Sequence, residues 1–463
     1  MKTLSLALRN LLRNRRRSVM TLLAMIIGLN AILLFGGYSY NITYGLQSNY
    51  VQRSGHLQIQ RKGYFLYGTG NPAAYGIENY ERIITAVKND PALSPMLQMT
   101  TSKLQLGGIA GNFSAGLSRT VAATGVVVEE ENEMMKWNDY HFKAPLFHPG
   151  LDGTKQDAAI IGTGVARVLQ LCGELKVPNC ASAPTIAKKN TGRDAPDDIT
   201  ALSAIETPDT TQSNETHIEI LAANDHGVPN VVNLHVVSAD NVGVKELDDV
   251  YLKMHLSQAQ KLIFGNASTQ VTSILVQLKH TSQIPEAKML LEQLLAKEFP
   301  DAELEVQEFT TLNPMYGQSI TFFKSIFSFI ATLIGVIVLF TIGNTMSMAV
   351  VERTVEIGTL RAIGLRRNGI RRLFMTEGVL LGLIGSISGV LIAVLLSFAI
   401  NNSGLTWTPP GYVTAYPIVI RVWGQNFMLI SSAIGLITVA VISAWWPANR
   451  ASKMNIVDAL RHA

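Results

Sequence analysis

The hydrophobic positions of this chain concentrate in four long stretches, and polar positions dominate between them. Each stretch holds about 20 or more nearly uninterrupted apolar residues, the length that an α-helix needs to cross the hydrocarbon core of a bilayer. A buried helix of a soluble protein is rarely as long and as uniformly apolar. The pattern therefore predicts transmembrane helices at residues 18–38, 320–351, 373–400 and 425–446.

The region between the first two stretches, residues 39–319, is too long to be a loop and has the pattern of a folded α+β domain. Apolar runs predict strands, and apolar positions at helical spacing predict helices. The predicted strands cover residues 56–60, 158–161, 218–222, 231–237 and 273–278, and the predicted helices cover 77–88, 257–263 and 284–298. Around residues 180–216 the sequence becomes rich in Ala, Thr, Asp and Pro, which predicts a flexible insertion.

The second apolar stretch is longer than a membrane requires. Helical character starts at about residue 315, after Pro314, so the helix reaches roughly 50 Å and should project outward as a stalk. One face carries a stripe of large apolar side chains, which either packs against lipid and other helices or forms a subunit interface or substrate groove. The stripe consists of Ile320, Phe323, Phe327 and Ile330.

The third apolar stretch carries glycines at a spacing that lets two helices approach closely. We predict helix packing at Gly378, Gly382, Gly385 and Gly389. The same stretch holds one acidic residue, Glu377, near its arginine-rich end. An acid in that position need not mark an ion pathway, although acids inside membranes often do.

The distribution of basic residues predicts which side of the membrane each segment faces. The arginine-rich segments are 1–17, 352–372 and 447–463. The loop 401–424 contains one basic residue, Arg421. Because basic residues remain on the cytoplasmic side, both termini and the loop between the second and third helices should be cytoplasmic. Residues 39–319 and the loop 401–424 should then be extracytoplasmic.

Composition agrees with a membrane protein and argues against nucleic-acid binding. Hydrophobic residues make up 48% and charged residues only 16% of the chain, against about 25% charged residues in a typical soluble domain. Residues 39–317 carry 21 basic and 30 acidic side chains, so the formal net charge of +4 combines two regions of opposite sign. The positive side chains flank the membrane segments, and the positive-inside preference accounts for them without a nucleic acid.

The chain offers little for catalysis or metal binding. Its two cysteines, Cys172 and Cys180, fall in the extracytoplasmic region, where a disulfide would persist; the alternatives are one bonded pair or two free thiols. No catalytic or metal-ligand spacing stands out, and no G-x-x-x-x-G-K-[ST] phosphate loop is present. The sequence predicts no catalytic residue, no metal and no bound cofactor. The first apolar stretch exceeds a signal peptide's apolar core, which predicts a retained anchor.

Three segments resemble the FtsX-like permeases of ABC transporters, also called MacB-type or type VII permeases. Between the second and third apolar stretches stands the string ERTVEIGTLRAIG, residues 352–364. Residues 8–13, with the arginines that follow, resemble the amphipathic N-terminal helix of the family. Residues 447–453 and 459–461 resemble its C-terminal pattern. The string GHLQIQ at 55–60 is similar to the start of the outward domain in lipoprotein-releasing, Lol-type members.

The resemblance implies a multi-pass protein of the bacterial inner membrane that works by mechanotransmission. Two permease subunits, identical or homologous, would pair within membrane lipid above a cytoplasmic dimer of ABC ATPases that bind ATP and Mg. ATPase closure would pass through a coupling helix in residues 352–372 and along the stalk to the extracytoplasmic (periplasmic) domain. Because this sequence has no phosphate loop, the ATPase should be a separate chain and this chain non-catalytic. The expected coupling residues are Glu352, Arg353, Glu356, Gly358, Arg361 and Gly364, of which Gly364 should also end the helix.

The resemblance leaves the substrate open. One hypothesis is release of a hydrophobic or lipidated substrate, such as a lipoprotein, to a periplasmic acceptor. A second is drug or peptide efflux with a periplasmic adaptor protein. A third is a non-transporting regulator of a cell-wall enzyme, as FtsX-type proteins are thought to be.

Overall fold

The computed structural model describes residues 2–13, 15–113, 115–142, 150–178, 180, 216–224, 226–265, 269–408 and 415–455. The chain divides into two compact units. The membrane unit comprises Met1–Leu46, Met315–Trp407 and Ala415–Ala463, and the second unit comprises Gln47–Pro314 with Thr408–Thr414. Residues 181–215, most of the predicted flexible insertion, lie outside the described residues, as do residues 456–463 with the end of the C-terminal pattern.

Helices occur in both units, and all but two of the strands lie in the second unit. The helices are α1 (Lys2–Arg13), α2 (Arg15–Ser54), α3 (Tyr64–Tyr67), α4 (Tyr80–Asn89), α5 (Val128–Met134), α6 (Thr163–Val168), α7 (Lys245–Asp248), α8 (Leu256–Phe264), α9 (Ile284–Glu298), α10 (Phe309–Leu312), α11 (Pro314–Glu352), α12 (Thr354–Ala362), α13 (Arg367–Asn402) and α14 (Asn426–Lys453). The strands are β1 (Leu57–Arg61), β2 (Leu97–Asn112), β3 (Leu117–Val126), β4 (Ala158–Gly162), β5 (His217–Ala223), β6 (Pro229–Asp240), β7 (Tyr251–His255), β8 (Ser273–Leu278), β9 (Leu304–Glu308), β10 (Thr406–Trp407) and β11 (Tyr416–Pro417).

Four described helices, α2, α11, α13 and α14, are long and apolar enough to cross a membrane, which confirms the four predicted apolar helices. Helix α2 has 40 residues, although we expected extra length only for the second stretch. Residues 39–54 are polar but contain no proline, so the helix continues until Gly55, whose φ of +69° only glycine adopts readily. Helix α14 continues through Pro447 to Lys453, so part of the predicted C-terminal tail is helical.

The core of the membrane unit lies where the four long helices meet. It contains Met25, Leu29 and Leu33 of α2, Val338 and Ile342 of α11, Leu381 of α13, and Ala440 and Ala444 of α14. The outer surface is also apolar, with exposed side chains such as Phe340, Leu395 and Phe427. A helix bundle that is apolar both inside and outside suits a lipid environment.

The second unit is built on a mixed sheet of nine strands in the order β3-β7-β4-β6-β5-β2-β8-β1-β9. Strands β2 and β3 also pair with each other, so six strands close into a ring, β2-β3-β7-β4-β6-β5. The 16-residue β2 makes this possible. Its residues from Lys103 onward pair with β3, while its first part pairs with β8 and its last part with β5. The observed mixture of strands and helices confirms the α+β prediction.

The five predicted strands are present as β1, β4, β5, β6 and β8, and the three predicted helices as α4, α8 and α9. The long hairpin of β2 and β3 was not predicted. Its central sequence contains Gly107, Gly108 and Gly111, and glycine weakens the local preference for a strand. Pairing along both edges of β2 supplies the stability that the local sequence lacks.

The cysteines lie just after α6 in the second unit. Cys172 and Cys180 form a disulfide with an Sγ–Sγ distance of 1.91 Å. No cysteine among the described residues is free.

Candidate functional site

The segment between the second and third membrane helices forms the short helix α12. Arg353, with φ of −105°, interrupts the helical path between α11 and α12. At the other end the backbone N–H of Leu365 donates to Leu360 (3.0 Å) and that of Gly364 donates to Arg361 (3.1 Å). Gly364 has φ of +103°, so glycine relieves the strain that this ending places on other residues. The predicted helix end at Gly364 is confirmed.

Helix α12 has one buried and one exposed face. Thr354, Ile357 and Gly358 are buried, and Ile357 packs in an apolar cluster with Phe374 of α13. The opposite face carries Glu356, Thr359 and Ile363, the last with 79% of its surface exposed. Further apolar side chains on or next to this helix are also open, namely Val355, Leu360 and Leu365. An exposed surface that mixes acidic and apolar side chains suits a protein partner.

A buried polar cluster fixes the start of α12 to two other helices. The guanidinium of Arg353 donates to Glu377 of α13 at 2.9 Å, and the two side chains are only 7% and 3% exposed. The amide of Asn10 in α1 donates to the same carboxylate oxygen at 2.7 Å. Arg353 also donates to the backbone carbonyl of Asn10 at 3.2 Å. A buried charge is stable only when paired and hydrogen-bonded in this way, so the cluster holds α1, α12 and α13 together.

Two exposed ion pairs lie around the cluster. Arg13 contacts Glu356 at 2.7 Å, and Arg17 contacts Glu352 at 2.9 Å. The hydrogen bond from Arg13 lowers the pKa of the Glu356 carboxyl and raises the pKa of the Arg13 guanidinium. Because Arg13 and Glu356 are both about half exposed, their pair contributes little to stability. It orients the N-terminal helix α1 against α12, whereas the pair of Arg17 and Glu352 joins α2 to the end of α11.

The other end of α12 is attached to α14. The guanidinium of Arg361 donates a hydrogen bond to the backbone carbonyl of Met454, just beyond the end of α14. Ala448 and Ala451 of α14 pack in the same apolar cluster as Ile357. Helix α12 is therefore attached to α1, α13 and α14.

The structure separates the six predicted coupling residues into two groups. Glu352 and Glu356 lie on the exposed side, where a partner could reach them. Arg353 and Gly358 are buried, and Arg361 bonds to Met454, so these three attach α12 to the membrane helices instead of facing outward. Gly364 ends the helix. Sequence spacing alone did not separate the two faces, because the arginines looked solvent-exposed without the carboxylate and carbonyl that accept their hydrogen bonds.

The four predicted packing glycines of α13 lie against neighbouring helices. A Cβ on Gly378 would come within 2.7 Å of Ala444, and one on Gly382 within 3.2 Å of Ala440, both in α14. The other two face α2, where a Cβ on Gly385 would meet Met25 at 3.2 Å and one on Gly389 would meet Leu29 at 2.8 Å. The absence of side chains at these four positions lets α13 approach two helices closely.

The predicted apolar stripe of α11 is half-buried at Ile320, Phe323, Phe327 and Ile330. The ring of Phe327 stacks on Phe35 of α2, with centroids 6.2 Å apart and planes nearly parallel. Phe327 therefore takes part in helix packing inside the chain, which was the alternative to a subunit or substrate groove. Ile334, one turn further, approaches Gly28 of α2.

Sequence reasoning missed the residues that hold the site together. Asn10, Arg13 and Arg17 were noted only as parts of an N-terminal pattern, and Glu377 as an acid without a role. The sequence feature that could have revealed them is the single acid Glu377 in an apolar helix near an arginine-rich loop. Such an acid usually has a positively charged partner. Which arginine pairs with it depends on how the helices pack.

Comparison with known proteins bears on this same part of the chain. Residues 325–456 match the family described as FtsX-like permease C-terminal. The match contains most of α11 and all of α12, α13 and α14, and it confirms, for this segment, the resemblance suggested by residues 352–364.

The relatives found by sequence are permeases. An uncharacterised ABC transporter permease of Methanocaldococcus jannaschii is 29% identical over 218 residues, which cover 46% of this chain and 51% of that protein. The lipoprotein-releasing system transmembrane protein LolC of Neisseria meningitidis is 26% identical over 51% of this chain and 57% of its own length. The macrolide export ATP-binding/permease protein MacB of Campylobacter jejuni is 31% identical over 33% of this chain and 22% of its own length. The chain thus spans about half the length, or less, of these relatives.

Proposed function

We propose that this chain, whose C-terminal membrane segment is an FtsX-like permease domain, is the permease subunit of an ABC transporter. Its exposed α12 face would dock a separate cytoplasmic ATPase, which would bind ATP and Mg. ATP-driven movement of α12 would pass along the long membrane helices to the region outside the membrane. The positive-inside preference supports a cytoplasmic position for α1, α12 and the end of α14, because basic side chains lie in α1, directly after α12 and at the end of α14.

The main support for this proposal is that α12 is attached to neighbouring helices on one side and exposed to solvent on the other. A coupling element must move together with the helices that it drives, and Arg353, Ile357 and Arg361 attach α12 to three of them. It must also present a surface to the ATPase, and the face around Glu356 and Ile363 is open. Both features belong to one helix of nine residues.

The docking surface can be tested with Ile363→Asp. The Ile363 side chain is apolar and 79% exposed, and its backbone hydrogen bond to Thr359 does not depend on the side chain, so the substitution should leave the permease folded and disturb only what binds there. The chain would be purified from its native membranes into lipid nanodiscs, and vanadate-sensitive ATP hydrolysis measured per permease. We expect about a tenfold loss, typical of an important interface residue.

The matched control is Met289→Asp in α9, which places the same charge at another exposed apolar residue, 52% exposed. It should retain the wild-type ATP hydrolysis. If no ATPase activity accompanies the wild-type chain, or if Ile363→Asp retains full activity, the docking proposal is wrong.

The exposed face of α11 supports a second permease subunit. Thr321, Lys324, Ser325, Ser328 and Thr332 line one open hollow on this helix, on the side away from Phe327. Some of these hydroxyls donate hydrogen bonds to backbone carbonyls one turn earlier in the helix, as in the 2.8 Å bond from Thr321 to Gly317. Lys324 and these hydroxyls form a polar face within the predicted membrane segment 320–351, and polar side chains are unfavourable against lipid. A second subunit, identical or homologous, would shield this face from lipid.

Cysteine cross-linking tests the pairing, because both natural cysteines are bonded. Ser328→Cys should give a covalent dimer in native membranes under mild oxidation if the second subunit is identical. Leu391→Cys, on a 61% exposed apolar position of α13, is the control and should stay monomeric. Equal cross-linking of both variants, or of neither, would contradict a homodimer through this face.

For the substrate, we propose a hydrophobic or lipidated molecule, with lipoproteins first, because LolC of Neisseria meningitidis is among the relatives. The MacB relative supports macrolide export as the second candidate. The stimulation of ATP hydrolysis by each candidate substrate distinguishes lipoprotein release from macrolide export. A lipoprotein should stimulate ATP hydrolysis and its unacylated form should not, whereas stimulation by a macrolide alone would favour efflux.

A further inference from the structure

A small cavity lies inside the second unit, beside the last turn of α2. Its polar lining comes from Arg53 of α2, from Thr101, Ser102 and Lys103 of β2, and from Glu131 of α5. Val126, Met134 and Leu275 complete the wall. The space, about 10 Å³ for the centre of a water-sized sphere, holds roughly one small species. A nucleotide, sugar or lipid head group is too large.

The charges around this cavity do not balance. Glu131 is already neutralised by Lys253, whose ammonium lies 3.0 Å from its carboxylate. Lys103 and Arg53 remain, and neither forms an ion pair with another described residue. Burial lowers the pKa of Lys103, and the nearby Lys253 and Arg53 lower it further, while Glu131 acts in the opposite sense. The lining therefore carries an excess of positive charge.

One hydroxyl in the wall also lacks a partner. Thr101 is 3% exposed, and its Oγ1 has no hydrogen-bond partner among the described residues. A buried polar group without a partner is costly, by about 1–3 kcal/mol. A species inside the cavity would accept a hydrogen bond from this hydroxyl.

We propose that the cavity binds one small inorganic anion of halide size, with chloride as the physiological ion. Lys103 and Arg53 supply the opposite charge, the Thr101 hydroxyl donates a hydrogen bond, and the apolar wall suits a weakly hydrated ion. A water molecule could satisfy Thr101 but would leave the Lys103 ammonium without a counter-ion, whereas the exposed Arg53 is also hydrated by solvent. The anion connects the last turn of α2 to β2, where β2 changes from pairing with β8 to pairing with β3 at Lys103.

The test is the thermal stability of the full chain in nanodiscs in sodium chloride or bromide against sodium gluconate at equal ionic strength. Gluconate is too large for the cavity. Chloride and bromide should raise the melting temperature by about 2–4 °C, saturating with concentration. Crystals soaked in bromide should show anomalous scattering between Lys103 and Thr101.

Two variants and one control complete the test. Lys103→Met should abolish the halide-dependent shift, and Thr101→Val, which keeps the shape and the charges, should reduce it. Lys88→Met, at a lysine whose side chain is about half exposed, should leave it unchanged. Equal melting temperatures in chloride and gluconate, or a bromide-soaked crystal without a peak in the cavity, would show that the cavity holds water and overturn the proposal.

Discussion

At the residue scale, two arginine–carboxylate pairs of the membrane unit differ in their surroundings. Arg353 and Glu377 are buried, and Asn10 donates a further hydrogen bond to the Glu377 carboxylate. Arg13 and Glu356 are about half exposed to solvent. Removing one partner of a buried pair strongly destabilises the folded protein, whereas an exposed pair contributes only about 0–1 kcal/mol to stability. We therefore assign the attachment of α12 to the first pair and its orientation against α1 to the second.

The buried pair predicts an asymmetric response to substitution. Glu377→Gln leaves Arg353 charged and buried without a counter-ion, so it should lower the stability of the membrane unit by about 3–5 kcal/mol. The double change Arg353→Met with Glu377→Gln removes the charge conflict and should recover much of the loss. Thermal unfolding of both variants in detergent measures this. A double variant less stable than Glu377→Gln would contradict the assignment.

His56, in the second unit, is a buried neutral histidine. Its Nδ1 accepts a hydrogen bond from the backbone N–H of Leu278 at 2.9 Å, so its Nε2 carries the proton and donates to Thr281 at 3.2 Å. The edges of Trp137 and Phe309 enclose the ring. Burial lowers the pKa of His56 to about 3. Protonation would break the bond from Leu278, because Nδ1 would become a donor.

This lowered pKa predicts acid sensitivity. Below an unfolded pKa of about 6.5, the unfolded chain takes up a proton at His56 that the folded chain does not. Stability is therefore lost as the pH falls from about 6.5 toward 3, by about 3 kcal/mol at pH 4.5. Melting curves from pH 7 to 4.5 should show a shallower pH slope for His56→Gln than for the wild type. His226→Gln, at an exposed histidine, should keep the wild-type slope.

At the element scale, glycines let the membrane helices approach one another, and the helix that supplies the glycine differs between helix pairs. Helix α13 presents glycines to both α14 and α2, whereas α11 places Ile334 and Val338 against Gly28 of α2. Close approach requires a position without a side chain on one of the two helices. The glycines of α13 are thus sites of tight packing.

A pair of glycine substitutions tests this. Gly378→Ala would place a methyl group 2.7 Å from Ala444, whose short side chain cannot move aside, so we expect a loss of about 1–3 kcal/mol. Gly435→Ala in α14 adds the same methyl group where no neighbouring atom lies within 4 Å. It should be neutral or slightly stabilising. Equal melting temperatures of the two variants in detergent would contradict tight packing at Gly378.

At the scale of the whole molecule, charge divides the chain into two parts. The arginine-rich ends of the membrane unit include α1, the residues after α12 and the end of α14. The positive-inside preference acts on such segments next to the membrane, and it is insensitive to the acidic residues of a large outer domain. The predicted orientation therefore depends on the basic residues of the membrane unit alone.

The orientation predicts which cysteine substitutions an impermeant reagent can reach. Ser403→Cys, in the exposed turn after α13, should react with a membrane-impermeant maleimide in intact spheroplasts, because the predicted orientation places this turn outside. Ile363→Cys should react only after the membrane is opened. The reverse labelling pattern would place α12 outside and exclude a cytoplasmic ATPase partner.

The sequence by itself determined the four long apolar helices, the α+β character of the second unit, and the end of α12 at Gly364. These features depend on local periodicity, helix length and the backbone freedom of glycine, which are all properties of residues close together in the sequence. Strand β2, whose centre is glycine-rich, was not predicted, because its stability comes from pairing with strands distant in sequence. The full length of α2 was not predicted, because its polar half lacks the apolar pattern of a membrane helix.

Only the tertiary structure decided which side of α12 is available to a partner. Arg353 and Glu377 are separated along the chain by all of α12 and the start of α13, and Asn10 lies more than 300 residues before both. The physical reason is that a charge is buried or exposed according to the partners that packing brings to it. The motif marked the helix, and the fold assigned Arg353 and Arg361 to its attachment and Glu356 and Ile363 to its open face.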